Sequence, residues 1–81
     1  MKPGITTKLH RVRGLIERYL IISGSGVATI GDAQSERVNP GDVVVIPPGV
    51  MQKIKNDGQT DLVFYAICSP RYIENAYEQL E

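Results

Sequence analysis

Apolar and polar residues alternate in short runs along most of the chain, and turn residues interrupt them at roughly 8- to 12-residue intervals. The breaks fall at Gly14, Gly24-Ser25-Gly26, Gly31-Asp32, Asn39-Pro40-Gly41-Asp42, Pro47-Pro48-Gly49 and Asn56-Asp57-Gly58. Between them lie segments rich in Val, Ile, Thr and Tyr. This rhythm predicts an all-β fold, an antiparallel sandwich or small barrel over about residues 4–69. The pattern changes after Ser69-Pro70, where Ile73, Ala76, Tyr77 and Leu80 fall at helical spacing on one apolar stripe. With Ser69 as N-cap and Pro70 at the first helical position, a short C-terminal helix is expected over about 70–80, laid on the outside of the barrel.

The first two strands carry the most informative alternation. "TTKLHRVR" (6–13) and "ERYLIIS" (17–23) flank a loop around Gly14. A hairpin there sets Val12 opposite Glu17 and His10 opposite Tyr19. His10, Val12, Glu17, Tyr19 and Ile21 then share one face. The other face holds Arg11, Arg13 and Arg18. Three arginines cannot line a small interior, so the His10/Glu17 face is expected inside. A carboxylate buried without a partner costs several kcal/mol or becomes neutral. Glu17 therefore calls for a cation or a polar, watered cavity. Lys8 shares the inner parity and is the simplest ion-pair partner. Tyr19 is expected as a cavity wall with an available hydroxyl. Farther along, Gln52, Ile54 and Asn56 alternate with Lys53 and Lys55, which aims Gln52 and Ile54 inward and leaves Met51 on the outer parity. A glutamine oxygen can ligate a hard cation, though less well than imidazole ligates zinc or iron.

Composition narrows the possibilities. Eighty-one residues make a single domain over 1–81, and a chain of this size is marginally stable unless disulfides, a metal or a partner help. One cysteine, Cys68, rules out an internal disulfide and is most simply a small buried hydrophobe. Nine basic and nine acidic residues balance without clusters, which excludes the electrostatic footprint of a nucleic-acid binder. No apolar run reaches the ~20 residues that cross a membrane, and a cytoplasmic protein is the default expectation. Gly24-Ser25-Gly26 with Gly31 lacks the spacing and the following helix of a nucleotide loop. A hairpin turn is expected there instead.

Taken together, these residues resemble the cupin superfamily. Gly4, His10, Val12, Glu17 and Gly24 fall at the offsets of the first cupin motif, with Val12 in place of a second histidine. Gly41, Pro47, Gly49, Gln52 and Asn56 match the second motif, with Gln52 in place of its histidine. The ending "CSPRYIENAY" resembles small cupins described as mannose-6-phosphate isomerase-like. The resemblance implies a jelly-roll barrel whose interior, in most members, holds manganese, iron, nickel or zinc on three histidines and a glutamate. Carried over, His10 and Glu17 keep two ligand positions, Gln52 alters a third and Val12 cannot ligate.

One histidine cannot build a two-histidine iron triad, so dioxygenase chemistry of that kind is disfavoured. A His10/Glu17/Gln52 site with a weakly held divalent ion would suit an isomerase or lyase. The alternative is a metal-free module that binds a small polar, sugar-like molecule, with Lys8, Val12, Tyr19 and Ile54 as its wall. A purely structural domain is the third possibility. The apolar outer positions Leu20 and Ile22, and an expected open sheet edge, favour a homodimer. So few residues before the first motif suggest a truncated or minimal cupin.

Overall fold

The computed structural model describes residues 1–32, 35–70 and 76–81. Eight strands run as β1 (His10–Val12), β2 (Ile16–Ser23), β3 (Gly26–Ile30), β4 (Glu36–Val38), β5 (Val43–Ile46), β6 (Gln52–Lys55), β7 (Val63–Ser69) and β8 (Tyr77–Gln79). They form a five-stranded sheet of order β4-β3-β6-β1-β8 and a three-stranded sheet of order β5-β2-β7. All pairings are antiparallel. The all-β antiparallel expectation holds, but the two sheets are not joined by strand pairing into a closed barrel.

Among the described strands, β3 and β4 are the one consecutive pair that lies side by side; other consecutive strands lie in different sheets. The expected β1–β2 hairpin is therefore corrected. Gly14, at φ 79°, sits in a loop that crosses between sheets, and Leu15 beside it is 2% exposed and packs with Val12 and Ala76. The turn at Gly24 is likewise a crossing. Its φ is 78°, and a Cβ there would collide with the Asp61 carbonyl, so both backbone conformation and space demand glycine.

The predicted terminal helix is also corrected where it can be seen. Residues 71–75, including Ile73 of the stripe, lie outside the described residues, and Tyr77–Gln79 form strand β8. Strand β8 pairs with β1 through His10↔Gln79, Arg11↔Glu78 and Val12↔Tyr77. The Leu80 N–H donates to the Leu9 carbonyl at 2.8 Å, and the Arg13 N–H to the Ala76 carbonyl at 2.9 Å. Glu78 accepts from Arg11 at 2.8 Å and from Arg13 at 2.5 Å. Without this strand, β1 would present an unpaired edge. That edge outweighs the local helical spacing, which at this length stabilises little.

The interior is apolar through most of its volume. Tyr19, Ile21, Ala28, Val38, Ile46, Ile54 and Leu62 form the main cluster, packed against Met1, Ile30, Val44, Val50 and Phe64. Val12, Leu15 and Ala76, with Cys68 against them, form a second cluster beside β7 and β8. The fully buried Asn56 donates to the Met1 and Thr60 carbonyls and accepts from the Gly58 N–H, so it shapes the loop after β6.

Candidate functional site

The inward faces of β1, β2 and β6 bring a polar group together inside the sandwich. His10 (8% exposed), Glu17 (9%) and Gln52 (1%) are all buried, as is Tyr19. The inward face read from the sequence is thus correct, although its supposed partners are not. His10 faces Gln52 across β1 and β6, while Glu17 and Tyr19 arrive from the opposite sheet.

Gln52 links the two sheets. Its Nε2 donates to Glu17 Oε1 at 2.6 Å, and its Oε1 accepts from the Tyr19 hydroxyl. This orientation is the one that works, because an ionised carboxylate only accepts and a protonated phenol donates. Burial foremost, then the nearby charge of Glu17, pushes the Tyr19 hydroxyl well above its usual range and keeps it a donor. The amide therefore supplies the buried carboxylate with a hydrogen bond where a cation was expected.

His10 is fixed from the other side. Its Nδ1 lies 2.6 Å from the Lys8 carbonyl. A carbonyl accepts only, so Nδ1 carries a proton and Nε2 is the nitrogen left for another partner. The ring stacks on Tyr77 of β8, with centroids 5.0 Å apart and planes at 28°. Among the described residues neither His10 Nε2 nor Glu17 Oε2 has a hydrogen-bond partner.

The other expected wall residues are placed differently. Lys8 is exposed and contributes its backbone, because alternation holds only inside a strand and β1 begins at His10. Ile54 is fully buried in the main apolar cluster and Val12 in the second. Two contributors were missed by the sequence reading. Tyr77 was assigned to a helix. Cys68, taken for plain packing, lies in register with Glu17 across β2 and β7, and burial followed by the Glu17 charge pushes its thiol up. The pairing of β7 with β2 is long-range and leaves no local signal.

In this arrangement Gln52 does not present its oxygen to an ion. The Gln52 oxygen is taken by Tyr19 and its NH2 points at Glu17, opposite to what a cation requires, and Val12 offers no donor. Among the described residues no three His, Cys, Asp or Glu side chains are grouped to hold a metal. A cleft of about 490 Å³ opens elsewhere, between β3, β4 and β5. It is lined by the apolar Ala28, Ile30, Val38 and Val44 and by the charged Glu36, Arg37 and Asp42; it lies apart from the residues at the family's motif positions, which the polar cluster contains.

Residues 1–68 match the Cupin domain family. This chain is a cupin. It is 35% identical over 78 residues to an uncharacterized protein of Methanocaldococcus jannaschii, covering 96% of this chain and 62% of that protein. It is 34% identical over 67 residues to the oxalate-binding protein of Thermotoga maritima, covering 83% of this chain and 54% of that one. The chain thus spans little more than half the length of these relatives. A Klebsiella pneumoniae protein with a double-stranded β-helix domain superposes with a TM-score of 0.85 at 22% identity, over 99% of this chain and 68% of that one. That likeness concerns the fold alone. No helix among the described residues is long and apolar enough to cross a membrane.

Proposed function

We propose that this cupin is a non-catalytic module that binds a small neutral polyhydroxyl molecule, sugar-like in chemistry, without a resident metal. One observation carries the reading: among the described residues Glu17 Oε2 and His10 Nε2 have no hydrogen-bond partner, and they flank an amide already engaged by Glu17 and Tyr19. Glu17 Oε2 accepts hydrogen bonds, and His10 Nε2 accepts when the ring proton is on Nδ1 alone, so they suit a ligand that brings hydroxyl groups. An oxalate-type dianion brings only acceptors and would meet the Glu17 carboxylate with no buried Lys or Arg among the described residues to offset it. The binding named for the Thermotoga relative therefore does not transfer directly. Tyr77, stacked on His10 and 44% exposed, is placed to cover an apolar face of a bound ring.

Calorimetry and thermal shift with neutral hexoses and with oxalate test the reading. A hexose is expected to raise the melting temperature, Glu17→Gln to abolish the shift, and oxalate to have no effect. Binding of oxalate, or stoichiometric manganese, zinc or nickel in tag-free protein that is lost in His10→Ala, would overturn it. The second reading is an isomerase- or lyase-like enzyme of the mannose-6-phosphate isomerase-like kind. It rests on the same two free atoms, a carboxylate oxygen and an imidazole nitrogen able to exchange protons with a sugar. Turnover of a hexose or hexose phosphate that disappears in Glu17→Gln would favour it.

A further inference from the structure

Strands β4 and β5 are edge strands of the two sheets, and the cleft of about 490 Å³ lies beside them. Alternation shows which side chains it receives. Val38 on β4 and Ile46 on β5 are buried in the main apolar cluster, so Glu36 shares the inward parity of Val38, and Val44 that of Ile46. Across the ladder Glu36 is in register with the buried Ala28. The outward positions Val43 and Val45 belong instead to the exposed apolar face of the three-stranded sheet, with Ile22, Tyr65 and Ile67. Asp42 reaches the cleft from the turn before β5. Two carboxylates thus border an apolar lining of Ala28, Ile30, Val38 and Val44.

Their charge is not cancelled on the spot. Arg37, the cation at the cleft, donates to both carboxylate oxygens of Asp57, at 2.7 and 3.2 Å. Asp42 accepts from the Asn39 N–H at 2.8 Å, a neutral donor that leaves its charge in place. Glu36 makes no ion pair among the described residues. An inward charge on an edge strand also discourages the addition of foreign strands, but that role needs neither a cavity nor a second acid.

We propose that this cleft binds a small organic cation, an ammonium group carried on a compact hydrocarbon or aromatic body, independently of the polar cluster around Gln52. Its volume lies within the roughly 300 to 1,000 Å³ usual for small-molecule pockets. The body rests on Ala28, Ile30, Val38 and Val44, and the ammonium meets the carboxylates of Glu36 and Asp42. Apolar contact alone would not distinguish ligands by charge. The two acids do, because an anion of the same shape meets like charge. The order of affinity is therefore cation, then neutral isostere, then anion.

Amide NMR titration of the 81-residue chain with phenethylammonium, phenethyl alcohol and phenylpropionate tests this. The ammonium is expected to shift the backbone signals of Ala28, Ile30, Val38 and Val44, with the alcohol about 10-fold weaker and the anion without effect. Added salt should narrow the gap between cation and alcohol. Glu36→Gln with Asp42→Asn should weaken the ammonium by about 10-fold, to the level of the alcohol. Far-UV circular dichroism should be unchanged, since Asn keeps an oxygen for the Asn39 N–H and Glu36 is exposed. Equal binding of the three probes by the wild type overturns the proposal, and this arm needs no variant. So does an ammonium that binds the double variant undiminished, that shifts His10, Gln52 and Tyr77 instead, or that does not bind at all.

Discussion

Two regions of one interior are built on the same strands from different chemistry. On β2, Glu17 and Tyr19 lead to Ile21; on β6, Gln52 leads to Ile54. At the apolar end, Ile21, Ile54 and Leu62 are held by contact alone, and nothing specifies which neighbour each must touch beyond shape. At the polar end, Tyr19, Gln52 and Glu17 are held by directional bonds, and each group depends on the next. The apolar end supplies most of the free energy of folding. The polar end gives up some of that stability, since its groups lose water, in exchange for a directional polar cluster inside the sandwich.

Substitutions can break this contrast in order of expected size. Ile54→Ala removes buried methyl groups from the apolar end and should cost about 2–5 kcal/mol, measured by urea unfolding at fixed protein concentration. Gln52→Ala should cost about 1–3 kcal/mol, because it strands the Tyr19 hydroxyl and the Glu17 carboxylate in the interior. If Gln52→Ala is neutral, the amide is not the partner that balances Glu17. Tyr19→Phe should cost about 1 kcal/mol. Combined with Gln52→Ala it should be non-additive by at least about 0.5 kcal/mol, as expected for residues in one network. Strict additivity would show the polar end to be a set of independent contacts.

The smallest effect lies outside both regions and sharpens the comparison by control. Hydrogen bonds from Arg11 and the neighbouring positive charges hold the Glu78 carboxyl below its ordinary range. A group with a lowered folded pKa contributes stability above its unfolded value and loses it as pH falls through the folded value. Glu78→Gln should therefore reduce stability slightly at neutral pH and flatten its fall on the acid side of the usual glutamate range. Because the pair is exposed, added salt should erase most of the difference. An unchanged acid limb in pH-dependent unfolding would show that β8 is held to β1 by its backbone bonds alone.

Much of the candidate site was legible in the chain. Arg11, Arg13 and Arg18 fixed the outer parity, which sent His10, Glu17 and Tyr19 inward, and Lys53 and Lys55 did the same for Gln52. The spacing of Gly41, Pro47, Gly49 and Gln52 pointed to the family. The exposed apolar sheet was visible only in part: Leu20 and Ile22 stood out as misplaced, but Val43, Val45, Tyr65 and Ile67 sit in runs with little alternation. Such runs suggest strands covered on both faces, and nothing local says which cover is absent.

The sequence by itself determined that this protein is built of strands, that His10, Glu17, Tyr19 and Gln52 point inward, and which family it belongs to. The reason is that a two-residue period is a property of the extended backbone, carried by each segment regardless of its neighbours. Only the tertiary structure decided that β1 and β2 lie in opposite sheets, that residues 77–79 close the edge of β1, and that Gln52 is bound between Tyr19 and Glu17. Those outcomes depend on pairings between segments far apart in the chain, selected by free edges, loop crossings and the satisfaction of buried polar groups.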